Sequence, residues 1–530
     1  MLRKLCEPEV LWDNIRHKWA DLFKISVFTF VLGILVYIQL ITQWLTNPDG
    51  VWNGILEKQG FNWEDSLGRV GLRMIGRAKG FFLYPALQTI FCLFLLSLIT
   101  IMLCEMFEIH QQLWRIVLGF LMVCSPSLCN MFTYYYTADA YMIAYFLSVL
   151  FVYILANNVS KRNVFYAAVL LACSLSLYQA YLGTSITLCL IYLLYGLLTK
   201  NEGWRRTLYQ GGRFLISGFL GTLLYLLVYK CLCNFTGIVP TAERGFASMG
   251  RIPAARLLSL LKQAYIYFID YYFTDDLYNN SWNLRGVCNL LIFLIIFIIV
   301  AVLLWEKRNN RETILLVILG MLLLPLAFMS IVVMAPDVSI ADITGILMIP
   351  HMNFIYLFLI VLVSGMSSTA VVKIYMKWSS LVMLLYMSFT LIMYVQIFQN
   401  CMRLELNRDY ALAQRVVERV ESLPEYHQGM KLMIGGKAEE GNYPINYLGM
   451  EDVLQGTIAT QGHFGDSING RQYCWILFIK NYLGITYYVC DSSEVNIIME
   501  SEEYARMPIF PEAGSVKMIG EYAVVKLSNE

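Results

Sequence analysis

The sequence predicts a polytopic α-helical membrane protein of about 11 transmembrane helices followed by a small C-terminal α/β domain. Composition is the first reason: 58% of the 530 residues are hydrophobic and 15% are charged, against roughly 45–50% and about 25% in ordinary soluble proteins. The second is grouping, because the apolar residues fall into runs near the ~20 that a spanning helix needs. The third is charge, because basic residues cluster on alternate connections. Net charge is +1, so nothing points to nucleic acid as a partner.

The runs lie near residues 25–46, 81–104, 114–130, 140–156, 164–181, 183–198, 214–233, 287–304, 313–334, 342–363 and 378–398. The fifth and sixth are one long apolar stretch interrupted by Tyr178-Gln179-Ala180-Tyr181-Leu182-Gly183, which reads as a tight hairpin or a broken helix. Arg3, Lys4, Arg16, Lys18 and Lys24 precede the first run. Arg115, the pair Lys161 and Arg162, the group from Lys200 to Arg213, the group Lys307, Arg308 and Arg311, and the pair Lys373 and Lys377 mark every second loop after it. The positive-inside rule then places the N-terminus in the cytoplasm and, after an odd number of spans, the tail outside. The first run is longer than a signal-peptide core and lacks a small-residue cleavage site, so it is read as an anchor. The 13 cysteines are scattered, with no zinc-ligand spacing; Cys474 and Cys490 are candidates for a pair if the tail is extracytoplasmic.

Residues 1–400 form the membrane part, with outer loops at 47–80 and 234–286, and 401–530 the tail. Long connections are usually functional or disordered. In the first loop Asp49 stands just beyond the first span, where a carboxylate reaches both a lipid phosphate and a water-borne hydroxyl. Its alternative is a turn, since Asn47-Pro48-Asp49-Gly50 is a good β-turn sequence. Arg69, Arg73 and Arg77 recur every fourth residue, which on a helix lines three guanidinium groups along one face. Val70 and Met74 make an adjacent apolar line, as on a helix lying in the interface. Positive charge in an outer loop needs a local reason. Arginine forks match phosphate oxygens; snorkelling to anionic headgroups is the alternative.

Asp139 opens the fourth span, facing either a polar cavity or simply the dipole of its own helix. Tyr178 and Gln179 end the fifth span, where Gln179 lines the same cavity or bonds between helices. Asp337 reads as a turn residue. In the second loop, which carries Glu243, Arg244 and Arg251, residues 254–269 have helical periodicity. Asp275-Asp276 after it is a metal pair or a solvated one. The five histidines are not spaced as ligands, and His351 reads as a satisfied buried imidazole. The tail opens with a helix at 407–423. It continues with a buried strand at 431–436, a helix at 472–482 and strands at 515–519 and 522–527. Its Gly435-Gly436 pair lacks a nucleotide fingerprint.

Together, Asn47-Pro48-Asp49, Gly76-Arg77, Ser125-Pro126, Asp139, the Ser-Leu-Tyr-Gln run ending at Gln179 and the late Met507-Pro508 resemble the Gtr type II glucosyltransferase family. These are membrane enzymes that decorate bacterial surface polysaccharides and are similar to the wider GT-C class. The family more often shows two acidic residues where this chain has Asp49 alone. The resemblance implies a bacterial cytoplasmic-membrane enzyme that moves a sugar, glucose, from a polyprenyl-phosphate donor to a cell-surface glycan on the outer face. Its partners are then the donor, the glycan acceptor, membrane lipids and, in the pathway, a donor synthase and a flippase. The one cofactor it leaves open is a divalent metal; the lipid-linked sugar is the donor substrate.

The residues suit those roles. Asp49 is the candidate base for an acceptor hydroxyl, with Asp139 as second choice or as a partner that orients sugar or metal. Arg77, Arg73 and Arg69 are candidates for holding the donor phosphate, and Asn47, Tyr178 and Gln179 for lining the substrate. A flippase for a lipid-linked glycan would place charge deep in the spans, and here the central spans are almost free of it. A polymerase or ligase acting on lipid-linked glycans fits the same outline and differs in its donor.

Overall fold

The structure, a computed structural model, describes residues 8–45, 47–53, 62–80, 82–157, 160–200, 202–241, 254–273, 284–335, 349–366, 371–438 and 468–529. Asp337, Asp275-Asp276, Glu243, Arg244 and Arg251 lie outside them.

Over the described residues the apolar runs are helices. In the first half of the bundle these are α1 (Pro8–Val36), α2 (Ile38–Gln43), α6 (Pro85–Met106), α7 (Gln112–Val123), α8 (Pro126–Phe132), α9 (Ala138–Asn157), α10 (Lys161–Leu177) and α11 (Leu182–Leu198). Between α2 and α6 the first loop forms three short helices, α3 (Pro48–Trp52), α4 (Asn62–Ser66) and α5 (Val70–Ala78). The second half comprises α12 (Trp204–Thr236), α13 (Ala254–Phe273), α14 (Leu284–Glu306), α15 (Arg311–Phe328), α16 (Ser330–Met334), α17 (Phe354–Gly365) and α18 (Val371–Glu421).

Among the described residues seven helices are long and apolar enough to cross a membrane, or eight if the pair α7 and α8, bent by 46°, is one span. Eleven runs exceed that number for local reasons. The first is cut at Tyr37, the fifth forms the 17-residue α10, and the tenth is described only from Ile349 onward. The interruption between the fifth and sixth runs is a single turn of 3-10 helix over Gln179–Tyr181, entered through an extended Tyr178.

Helix α17 is apolar all round, and Phe354 to Val363 are buried without exception. A helix of that kind belongs at the centre of a bundle. Helices α12, α14 and α15 instead expose Leu215, Phe219, Phe297 and Leu315, as surfaces that face hydrocarbon do. Helix α13, which carries the helical periodicity read at 254–269, buries Leu260, Ala264, Phe268 and Tyr272 at every fourth residue and seats that stripe against α14, α15 and α16.

At three other interruptions among the described residues a side chain from elsewhere meets a freed carbonyl. At Tyr37 the Val36 carbonyl accepts from Gln396 Nε2 and Gln399 Nε2, both at 2.8 Å. Pro126 ends α7 early by excluding helical geometry at Ser125; there the Tyr37 hydroxyl donates to the Val123 carbonyl at 2.8 Å and Asn353 Nδ2 to the Leu121 carbonyl at 2.6 Å. Beyond Pro325, His351 Nε2 stands 2.9 Å from the Phe328 carbonyl. A carbonyl only accepts, so Nε2 carries the proton and Nδ1 accepts from Thr184 Oγ1 at 3.2 Å.

Helix α18 runs unbroken for 51 residues into a four-stranded sheet of order β2-β1-β4-β3. The strands are β1 (Lys431–Gly435), β2 (Tyr488–Val489), β3 (Val516–Ile519) and β4 (Tyr522–Lys526). β1 is parallel to both neighbours, and β3 and β4 form an antiparallel hairpin. Alternation along the strands divides the core. Leu432, Ile434, Ala523 and Val525 face Val416, Val420, Trp475 and Ile479, which come from α18 and from α19 (Ile468–Phe478) and the turn after it. Met433 and Val524 face Val495, Ile498 and Tyr504 on the other side, from α20 (Ser492–Glu500) and α21 (Glu502–Ala505). Cys474 and Cys490 are buried and unpaired, one in each core.

Removing the Tyr37 hydroxyl tests this stitching. Tyr37→Phe should cost about 1 kcal/mol, the net worth of a buried hydrogen bond, read as a lower unfolding midpoint in detergent; an unchanged midpoint would show that the break before Pro126 needs no outside donor.

Candidate active site

The first loop is held to the bundle mainly through its own carbonyls. Gln179 Nε2 donates to the Leu67 carbonyl at 2.7 Å and also lies 2.8 Å from the Tyr225 hydroxyl. Tyr225 donates to the Gly68 carbonyl at 3.1 Å, and Tyr229 to those of Asp65 and Ser66 at 3.1 and 3.2 Å. Gln179 is thus a clamp on the loop. Helix α5 follows and rests on the C-terminal end of α10 through Gly71, where a Cβ would stand 2.6 Å from Ser176 Oγ and 2.9 Å from Leu177 Cδ2. Glycine here permits a contact that any larger residue would push apart.

This seating separates the three arginines. Arg69, just before α5, turns inward and is buried. Its guanidinium carbon lies 4.5 Å from the Tyr178 ring centre and Nη1 is 3.3 Å from the Tyr141 hydroxyl. Tyr178 and Tyr141 are themselves stacked at 4.4 Å, so Arg69 sits on a tyrosine platform in a cation–π arrangement. Arg73 forms an ion pair with the buried Asp65 and donates to Asn62 Oδ1 at 3.0 Å. Burial pushes the Asp65 carboxyl upward from its ordinary value, and Arg73 partly opposes that. Arg77 and Met74 are exposed. Of the three guanidinium groups, Arg77 is the one open to a bound anion.

Asn47 caps α3, its Oδ1 accepting from Gly50 N at 2.9 Å, and its backbone N–H reaches the Thr133 carbonyl at 3.3 Å. That places Asp49, exposed in the first turn of α3, beside the loop that carries Tyr136. The Tyr136 phenol is held well above its usual range, by burial first and then by the negative field of Asp49, with Tyr141, Tyr134 and Glu64 adding to it. Arg69 in turn feels Tyr141, Tyr178, Tyr136 and Glu64. Asp49, Tyr136, Glu64, Arg69, Tyr141 and Tyr178 therefore form one patch within electrostatic reach, centred on the contacts of Arg69 with Tyr141 and Tyr178.

Asp139 stands apart, in the first turn of α9. Its Oδ2 is 2.8 Å from Lys79 Nζ and its Oδ1 accepts from Gln88 Nε2 at 2.8 Å. Gln88 also donates to the Tyr135 carbonyl at 2.5 Å, so the group pins the Tyr134–Tyr136 turn to α6. Asp139 thus has a charged partner, which the sequence reading did not supply. Lys79 could have been found, since it is two residues past Gly76-Arg77; Gln88 carries no distinguishing signal. Glu64 and Asp65 were also passed over, although Asp65, Arg69 and Arg73 share the every-fourth-residue spacing. Among the described residues no three His, Cys, Asp or Glu side chains gather to hold a metal.

The family model described as glucosyl transferase GtrII matches residues 59–352, more than half of the chain. The match contains Arg69, Arg73, Arg77, Asp139, Tyr178 and Gln179 and leaves out Asn47, Asp49 and the C-terminal sheet. No curated protein and no solved structure matches the chain.

The Lys79–Asp139 pair makes a testable demand. Asp139→Leu leaves a shielded ammonium unpaired and should cost about 3–5 kcal/mol of stability, while Asp139→Leu combined with Lys79→Met should regain most of it. Equal losses in the single and double variants, by unfolding in detergent, would show that the two charges do not depend on each other.

Proposed function

This chain belongs to the glucosyl transferase GtrII family, and on that premise we propose that it transfers glucose from a polyprenyl-phosphate donor to a cell-surface glycan at the outer face of the bacterial cytoplasmic membrane. Membership makes it a glucosyltransferase of glycan modification, with a sugar donor and a glycan acceptor. The observation that carries the finer reading is the patch itself, where an exposed carboxylate and a buried arginine on stacked tyrosines are grouped, with the exposed Arg77 farther along α5. The alternating basic loops favour the outer face for it, and with it an extracytoplasmic position for the sheet.

In this reading the acceptor hydroxyl gives its proton to the Asp49 carboxylate as its oxygen forms a bond to the sugar's anomeric carbon. The bond from that carbon to the phosphate oxygen breaks, and its electron pair leaves with the lipid phosphate. Arg77 meets that phosphate, while Arg69 supplies a fixed positive field that costs no reorganisation during reaction. Arg73, engaged with Asp65, holds the loop. Tyr178 and Tyr141, buried and stacked on each other, hold Arg69 in position, and Asn47 and Gln179 keep the walls in place. Asp139 acts as a support for the Tyr134–Tyr136 turn. A donor synthase and a flippase then have to supply the lipid-linked sugar on the correct side.

The test is glucosyl transfer in proteoliposomes that contain polyprenyl-phosphate glucose and a crude surface-glycan acceptor. Asp49→Asn should lower transfer by about 10²–10⁴-fold, the usual worth of a positioned base, with donor binding retained. Arg77→Ala should weaken donor binding itself. Undiminished transfer in Asp49→Asn would remove Asp49 as base, and activity only with oligosaccharides on pyrophosphate lipids would replace the transferase reading by a polymerase.

A further inference from the structure

Helix α3 has five residues, far fewer than a helix needs to be stable alone. Its geometry, and with it the position of Asp49, is therefore set by what it touches. One hold comes from the bundle, where the Thr133 carbonyl accepts from the Asn47 backbone N–H. The rest come from the C-terminal unit. Val51 is 2% exposed and belongs to the same apolar core as β1, β4 and α19. The next residue, Trp52, meets the ring of Tyr473 edge-on at 4.8 Å. The Tyr482 hydroxyl reaches the Trp44 carbonyl at 3.4 Å. Three contacts thus tie 44–52 to one face of α19 and the turn that follows it.

Both partners lie outside the stretch that the family model matches. The matched region supplies the arginines and the tyrosine platform; the carboxylate arrives on a segment seated against the C-terminal unit. We propose that the C-terminal unit is a positioning element for the reaction, and that Tyr473 and Trp52 are positioning residues that hold α3 so that Asp49 stands beside Tyr136. The proposal rests on the assignment of Asp49 as base. It gives the tail a part in the chemical step, in addition to any contact it makes with the acceptor.

The ring of Tyr473 is what touches Trp52, so the hydroxyl is dispensable to this contact. Displacement of a catalytic group by about 1 Å can cost on the order of 100-fold in rate. Tyr473→Ala and Trp52→Ala should each lower kcat by about 10- to 100-fold with little change in the KM for the lipid donor, and Tyr473→Phe should keep full activity. Trp52→Ala alters only a half-exposed ring on a surface helix, so it remains informative if Tyr473→Ala fails to fold. Amide hydrogen exchange at residues 47–53 should rise in both alanine variants while that of residues 85–106 stays as it was.

Because these residues act through Asp49, adding Tyr473→Ala to Asp49→Asn should cause no further loss. Multiplied losses in that double variant would overturn the proposal, as would full kcat and unchanged exchange in the alanine variants of a protein that Asp49→Asn inactivates. Full transfer in Asp49→Asn would instead overturn the base assignment, and the catalytic proposal with it, even where the exchange at 47–53 has risen.

Discussion

A backbone carbonyl released in hydrocarbon has no water to turn to, and leaving it unmet costs several kcal/mol. Much of this structure follows from that constraint. Helices break near Tyr37, before Pro126 and after Pro325, and each break is tolerable because Gln396 and Gln399, Tyr37 and Asn353, or His351 reach the freed group. These donors come from helices distant in sequence. The polar side chains of the spans therefore join the bundle together at the places where regular structure stops.

The same device builds the site. Gln179, Tyr225 and Tyr229 hold the carbonyls of residues 65–68, so a loop that would otherwise move in the interface becomes a fixed wall. Once it is fixed, Gly71 lets α5 settle on α10 and Arg69 is pressed onto the tyrosine platform. Electrostatics then acts between groups whose positions are already decided by hydrogen bonding and close contact, which is the condition under which charges assist catalysis most.

The helices were legible because burial in hydrocarbon writes itself as uninterrupted apolar runs. The strand at Lys431–Gly435 and the hairpin at Val516–Lys526 were legible because alternation and turn glycines are local signals. The two-residue β2 and the helices from Ser492 to Ala505 were not, since a strand so short has no period and those helices face a sheet that forms only on folding. At the site, the types of residue were readable and their pairings were not. Spacing placed Arg69, Arg73 and Arg77 in one row, but whether each turns inward, pairs or stays open depends on Tyr178, Asp65 and the seat at Gly71, which belong to other segments. Lys79 and Gln88 meet Asp139 across 60 and 51 residues, a relation that periodicity does not carry.

The unbroken helix α18 has a mechanical meaning. At 1.5 Å per residue its 51 residues extend for roughly 75 Å, well beyond the ~30 Å hydrocarbon layer. A spanning helix answers a thinner or thicker bilayer by changing its tilt, and a stiff rod pivoted in the membrane turns a small rotation into a large excursion at its tip. Ten degrees about a pivot ~30 Å away displaces the sheet by about 5 Å, while Trp52 and Tyr473 can follow only as far as their contact allows. Lipid thickness thereby becomes a lever arm acting on the seam between α3 and α19, and the composition of the bilayer enters the geometry of Asp49 without any lipid touching it.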